Sequence, residues 1–195
     1  MIFIKQQMKE LLMIVDPQVD FISGVLPVPG AERAMNNLVQ YIIGNGSKYT
    51  QFIVTADRHP FNHCSFEMSG GQWPRHCVHD TAGAAVWQPL MEALYSYGDN
   101  VTFLYKGEDV GTEEYSIFKN NAAVRHICRI VDNNAIDSID ICGLAGDVCV
   151  ANTLHDGIGM YGKSKFNVLS RFTSSLDGGK NLDSIISSLG ISCDK

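Results

Sequence analysis

The sequence has no C-x-x-C pair, no apolar run near the roughly 20 residues that cross a bilayer, and no excess of basic charge. Each absence excludes a class. Six cysteines, at 64, 77, 128, 142, 149 and 193, are scattered through 195 residues, a chain large enough to bury a core without staples. They read as the reduced thiols of a cytoplasmic protein, and a thiol redox function lacks the partner that Cys149 would need. A net charge of -6 argues against nucleic acid or an anionic membrane as partner, since either wants a basic face. The opening Met1 to Glu10 is broken by charge before an apolar core can form, so no signal peptide is expected, and the sequons at Asn45 and Asn100 then carry no meaning. Repeats, linkers and low-complexity segments are also missing, which leaves a single domain over 1–195.

What is present is a run of short apolar segments alternating with helical patterns. Leu11 to Val15, Phe52 to Ala56, Val101 to Tyr105, Ile139 to Gly143 and Phe166 to Leu169 read as strands buried on both faces. Between them, apolar spacing predicts helices over Ala31 to Ile43, Ala84 to Tyr97, Ala122 to Val131, Cys149 to Gly157 and Leu182 to Leu189. The alternation implies an α/β fold: a mostly parallel central sheet with helices on both faces, a Rossmann-like three-layer sandwich.

In such a sheet ligands bind beyond the carboxyl ends of the strands, where three reactive groups fall: Asp16, Lys106 and Cys149. Cys149 follows a strand and a Gly-containing turn at the start of a helix, where the dipole and free N–H groups favour a thiolate and can hold an oxyanion. Taken singly, a cysteine usually fills space and a strand-end lysine usually snorkels. Together, acid, lysine and cysteine form a nucleophile unit in which Lys106 lowers the thiol pKa and Asp16 moves the proton. Asp20 reads equally as a turn residue or as one that orients its neighbours.

A second cluster is Asp57-Arg58-His59-Pro60-Phe61-Asn62-His63, joined from another loop by His76. One carboxylate and three imidazoles suit a divalent transition metal such as Zn, Fe or Mn, in an open site completed by solvent. His79, His126 and His155 read as ordinary. Gly157 to Ser164 matches the P-loop pattern, but a P-loop follows a strand and opens a helix; here the order is reversed, and helix-ending glycines explain the match better.

Five segments then occur in a familiar order: Asp16-x-Gln18-x-Asp20-Phe21; Asp57-x-His59-Pro60-x-Asn62-His63-x-Ser65-Phe66; Trp73-Pro74-x-His76-Cys77-Val78; Lys106-Gly107 with Tyr115-Ser116-x-Phe118; and Gly143-Leu144-Ala145-x-Asp147-x-Cys149-Val150. With them the chain resembles the nicotinamidases of the isochorismatase-like cysteine hydrolase superfamily. The resemblance implies a triad of Asp16, Lys106 and Cys149. It also implies metal ligands at Asp57, His59 and His76 with His63 as a less certain fourth, a cis Leu144–Ala145 peptide, and an oxyanion hole from the N–H groups of Ala145 and Cys149. Phe21 and Trp73 would flank a pyridine ring whose nitrogen meets a metal, zinc first among the candidates. The implied reaction takes nicotinamide through a cysteine thioester to nicotinic acid and ammonia, with Asp16 or the metal activating water, a step of NAD salvage and pyridine nucleotide biosynthesis. The implied partner is a small-molecule amide, with homo-oligomerisation left open.

Rival readings are a related amidase acting on an N-carbamoyl, ureido or pyrazinamide-like substrate, and a non-catalytic metal-binding module. The histidines argue against the carbamoyl relatives, and an intact Asp16–Lys106–Cys149 set argues against the module. Four departures from the family pattern bear on pocket shape: Gly146 where threonine is common, Asp80 where glycine is usual, Arg58 for an aromatic, and no acidic residue in Ser170-Arg171-Phe172.

Overall fold

In the computed structural model, which describes residues 8–194, six parallel strands form one sheet in the order β3-β2-β1-β4-β5-β6. Most of the opening segment discussed above, residues 1–7, lies outside the described residues. The strands are β1 (Glu10–Val15), β2 (Tyr49–Asp57), β3 (Val101–Lys106), β4 (Ser138–Gly143), β5 (Phe166–Thr173) and β6 (Ser192–Asp194). Among the described residues no helix is long and apolar enough to cross a membrane.

β1 shows why the sheet is covered on both sides. Leu11, Met13 and Val15 point into a core shared with α4 (Asn121–Asn133), α5 (Ala151–Tyr161) and α6 (Lys180–Leu189). Leu12 and Ile14 point the other way, into a core shared with α1 (Val19–Ile22), α2 (Ala31–Asn45) and α3 (Gln88–Leu94). Period-2 alternation with apolar residues at every position leaves a strand no wet face, as a parallel sheet requires.

The strand order places the site. Going out from β1, the chain runs through β2 and β3 on one side and β4 to β6 on the other, so direction reverses between β1 and β4. A crevice opens at such a switch point, beyond the carboxyl ends. Asp16 directly follows β1, and Cys149 lies just beyond β4, so acid and cysteine stand on the two lips of that crevice.

Two elements differ from the periodicity. The predicted helix over Ala84 to Tyr97 is helical only from Gln88. Ala84 to Trp87 are held extended because Val86 bridges Gln18, Trp87 N–H donates to the Pro17 carbonyl (2.9 Å), and the Ala84 carbonyl accepts from Gln18 Nε2 (2.9 Å). The helix expected to start at Cys149 starts at Ala151, after a wide π-type turn over Gly146–Val150, and runs through Gly157 and Gly159 to Tyr161, where Gly162 of the P-loop look-alike caps it.

Candidate active site

Lys106 is the hub. Its side chain is fully buried, and its ammonium lies 2.8 Å from Asp16 Oδ2, 2.5 Å from Asp57 Oδ1 and 3.5 Å from Cys149 Sγ. The sheet register sets this up, since Asp57 and Lys106 are partners at the ends of β2 and β3. A buried lysine between two carboxylates keeps its charge: burial acts to discharge it, but Asp16 and then Asp57 outweigh burial and hold it well above its ordinary value.

The two carboxylates are tuned apart. Burial dominates at Asp16 and raises its pKa, with Lys106 only partly opposing. At Asp57 burial also pushes upward, but Lys106 and then His59 outweigh it, so this carboxyl is held below its usual range. Asp16 Oδ1 accepts from Thr55 Oγ1 at 2.6 Å, whereas Oδ2 meets Lys106 as an ion pair and accepts no directed hydrogen bond. That oxygen, paired with the Lys106 ammonium and belonging to a carboxyl whose pKa is raised, is the acceptor a general base needs.

Cys149 departs from expectation in its charge. Burial holds the thiol well above its ordinary value; Lys106 pulls it down, while Asp16 and Asp57 add to the rise. The direction is opposite to the one expected from a helix N-terminus, because depth of burial and the neighbouring carboxylates oppose the lysine. Next to it, the Leu144–Ala145 peptide is cis, and the Ala145 N–H, buried in the same crevice, donates to no acceptor among the described residues.

Asp57, His59 and His76 bring one ligand atom each to within 4.8 Å of one another, all buried. His59 Nδ1–H donates to the Gly107 carbonyl (3.0 Å) and His76 Nδ1–H to the Pro74 carbonyl (2.8 Å). Each bond fixes a tautomer and leaves Nε2 bare, the outer-sphere arrangement of metal-bound imidazoles. Burial also lowers the His59 pKa to about 4, against the opposing charge of Asp57, so the ring is neutral and ready to ligate at pH 7. The donor set fits a divalent transition metal. Gly107 is needed here: its φ is +68°, and a Cβ would sit 2.4 Å from His59 Cε1.

The structure does not bring His63 into this group. Its ring stacks on His59 with centroids 4.1 Å apart, and both of its nitrogens are engaged, Nδ1 with Ser65 Oγ (2.7 Å) and Nε2 with the Thr112 carbonyl (3.1 Å). A second trio of potential ligands, Asp16, Asp57 and Cys149, already surrounds the Lys106 ammonium, which excludes a cation there. Equilibrium dialysis with zinc is expected to find one ion per chain. His59→Ala or His76→Ala should weaken binding beyond the about 10–100-fold that losing an outer-sphere partner costs, and His63→Ala by no more than that range.

Supporting residues fix these groups. Gln18, fully buried, donates from Nε2 to the Asp57 carbonyl and accepts from the Asp57 N–H, both at 2.8 Å, clamping the backbone that carries the carboxylate. Asp20 orients a neighbour: its Oδ2 accepts from Cys77 N–H at 2.7 Å and so ties down the loop bearing His76. Arg58 and Asp80, two departures from the family pattern, lie 3.7 Å apart on the outer side of the same loops. Asp80 has φ +63°, a left-handed conformation that explains why glycine is usual there and that Asp tolerates.

The crevice beside Cys149 encloses about 390 Å³, counting space open to solvent. Phe21, Trp73, His76 and Ala145 line it, as does Asp57. The Phe21 ring sits 5.5 Å from that of His76, and Trp73 Nε1–H donates to the Tyr115 hydroxyl at 3.1 Å. Glu113, Val148 and Leu176 also face this space, though nothing in their local sequence marks them. Glu113 has its carboxyl raised by burial and by the charge of Asp57.

Known proteins share this arrangement of fold and sequence. The isochorismatase domain model matches residues 10–159. A nicotinamidase of Acinetobacter baylyi is 30% identical, over 78% of this chain and 76% of its own. The pyrazinamidase of Pyrococcus horikoshii, solved in complex with zinc, superposes with a TM-score of 0.82 at 28% identity, covering 96% of this chain and 99% of that one. The structure of PnC1 from L. infantum in complex with nicotinate gives 0.81 at 26% identity, over 97% and 93%. With the match spanning every strand from β1 to β4 and the turn that carries Cys149, this chain belongs to the isochorismatase domain family.

Proposed function

We propose that this protein is a nicotinamidase, hydrolysing nicotinamide to nicotinic acid and ammonia through a thioester on Cys149. The observation that carries the reading is the meeting of two sets of groups in one crevice: Asp16–Lys106–Cys149 and Asp57–His59–His76. The nicotinamidase relatives and the nicotinate complex of the L. infantum protein support the substrate.

Asp16, Lys106 and Cys149 are the catalytic residues in this reading. The substrate carboxamide lies against Cys149 with its ring between Phe21 and Trp73. Asp16 Oδ2 takes the thiol proton as Sγ attacks the carbonyl carbon, and the Lys106 ammonium, 3.5 Å from Sγ, stabilises the sulfur's charge as it forms. The N–H groups of Ala145 and Cys149 receive the oxyanion. On collapse Asp16 returns the proton to the departing nitrogen, ammonia leaves, and the acyl group remains on sulfur. Asp16, a carboxylate again, deprotonates a water that attacks the thioester, and Cys149 is regenerated as nicotinic acid departs. Asp57, His59 and His76 would hold a divalent metal, with zinc proposed from the P. horikoshii complex, and such an ion would supply Lewis acidity toward the pyridine nitrogen.

The test is product analysis on zinc-loaded protein. Equal release of ammonia and nicotinic acid from nicotinamide, lost on chelation, is expected. Folded, zinc-bound protein that releases neither product would reject the reading. Release that survives chelation would reject the metal's part in it.

A further inference from the structure

We infer that residues 174–177, latched onto the turn that carries the nucleophile, form the specificity wall of the crevice, with Leu176 setting the size of aromatic ring admitted. The inference rests on the amide hydrolysis proposed above.

The latch is built from Asp147, two residues before Cys149. Its Oδ1 accepts from the Leu176 N–H at 2.9 Å and its Oδ2 from the Asp177 N–H at 3.1 Å. The Asp147 carbonyl accepts from Asn181 Nδ2 at 2.9 Å, and the Gly146 N–H donates to the Ser174 carbonyl at 2.8 Å. Asp177 in turn accepts from Gly179 and Asn181 N–H groups, both at 2.8 Å, fastening the segment to the start of α6. Two carboxylate bonds and a backbone bond thus tie the segment to residues 146–147, and the Asn181 amide ties the start of α6 to the same turn. Charge-assisted bonds to backbone N–H groups are the stronger kind.

Gly146 makes the approach feasible. A Cβ there would sit 2.3 Å from Ser175 Oγ and 2.9 Å from Thr173 Cγ2, so a larger residue would have to displace those two side chains. Within the segment, the Leu176 backbone is pinned by Asp147 while its side chain faces the crevice beside Val148 and Cys149. Leu176 is 36% exposed and stands at the rim of the crevice, where an apolar side chain can pack against the ring of a substrate, and the bond to its N–H fixes the backbone that carries it.

The experiment compares kcat/KM for nicotinamide and for 5-methylnicotinamide in zinc-loaded wild type, Leu176→Ala, Leu176→Phe and Asp147→Asn. Wild type is expected to prefer nicotinamide. One methyl group in a tight apolar pocket is discriminated by about tenfold or more, and Leu176→Ala should erase that preference. Leu176→Phe should enlarge it. Asp147→Asn, which replaces one acceptor oxygen with a donor, should move the ratio in the same direction as Leu176→Ala without touching the pocket lining. The inference is overturned if wild type does not discriminate, or if Leu176→Ala and Leu176→Phe scale both substrates by one factor, which a merely structural role would do. Inactivity of wild type toward both amides is a different result: it rejects the proposed function, and this inference falls with it.

Discussion

Cys149→Ala is expected to lower kcat for nicotinamide hydrolysis by about 10⁴-fold or more, because loss of a covalent nucleophile removes the reaction path along with its stabilisation. The effect should be confined to chemistry. Cys149 lies outside the Asp57–His59–His76 group, so zinc stoichiometry should be unchanged. The thiol is 6% exposed and small, so the cavity left is small, and the melting temperature should fall by only a few degrees. Nicotinate should still bind, since ring and metal contacts do not involve sulfur. A variant that keeps substantial turnover would place the nucleophile elsewhere.

Lys106→Met is expected to act on stability as strongly as on catalysis. The substitution keeps an unbranched side chain, one atom shorter, while removing the cation between Asp16 and Asp57, both buried. Leaving buried charge without its partner costs about 3–5 kcal/mol. The sign of the pH dependence follows. Without Lys106 both folded-state carboxyl pKa values rise above their unfolded values, so the folded variant binds more protons than the unfolded chain. Its deficit relative to wild type is then largest near neutral pH and shrinks as pH falls toward the raised carboxyl pKa values. Urea unfolding of both proteins between pH 7 and pH 5 measures this. A deficit independent of pH would mean that the loss is one of packing rather than of charge.

Much of this molecule is legible in its sequence, for definite reasons. The strand ends were readable because a parallel strand covered on both faces must be apolar throughout, so a charged residue at its end, such as Asp57 or Lys106, stands out. Parallel order then sends those ends to one edge. What escaped was set by distant partners. Ala84 to Trp87 carry helix-compatible spacing, yet Pro17 and Gln18 recruit their backbone as an extended segment. The edge strand β6 is three residues long and partly exposed, too short for a period to show. Spacing counts His63 among the donors but does not reveal that, in this structure, its two ring nitrogens meet Ser65 and the Thr112 carbonyl.

The charge state of Cys149 illustrates the same limit. A helix start and a lysine argue locally for a thiolate, but depth of burial and two carboxylates on other strands reverse the balance. Likewise, Leu176 faces the crevice only because Asp147 reaches across to it from the nucleophile's turn. Both facts belong to tertiary structure. The resemblance of five short motifs bridged much of that gap, since each motif stands for a loop whose geometry the letters do not spell out.

In the proposed reaction the amide carbon becomes bonded to Cys149 Sγ. Acid quenching of wild-type enzyme during turnover of nicotinamide, followed by intact and peptide mass spectrometry, tests for that bond. A nicotinoyl group is expected on the peptide containing Cys149, absent from Cys149→Ala and from protein quenched without substrate. A variant Cys149→Ala that releases nicotinic acid at the wild-type rate with no acyl adduct in either protein would contradict it.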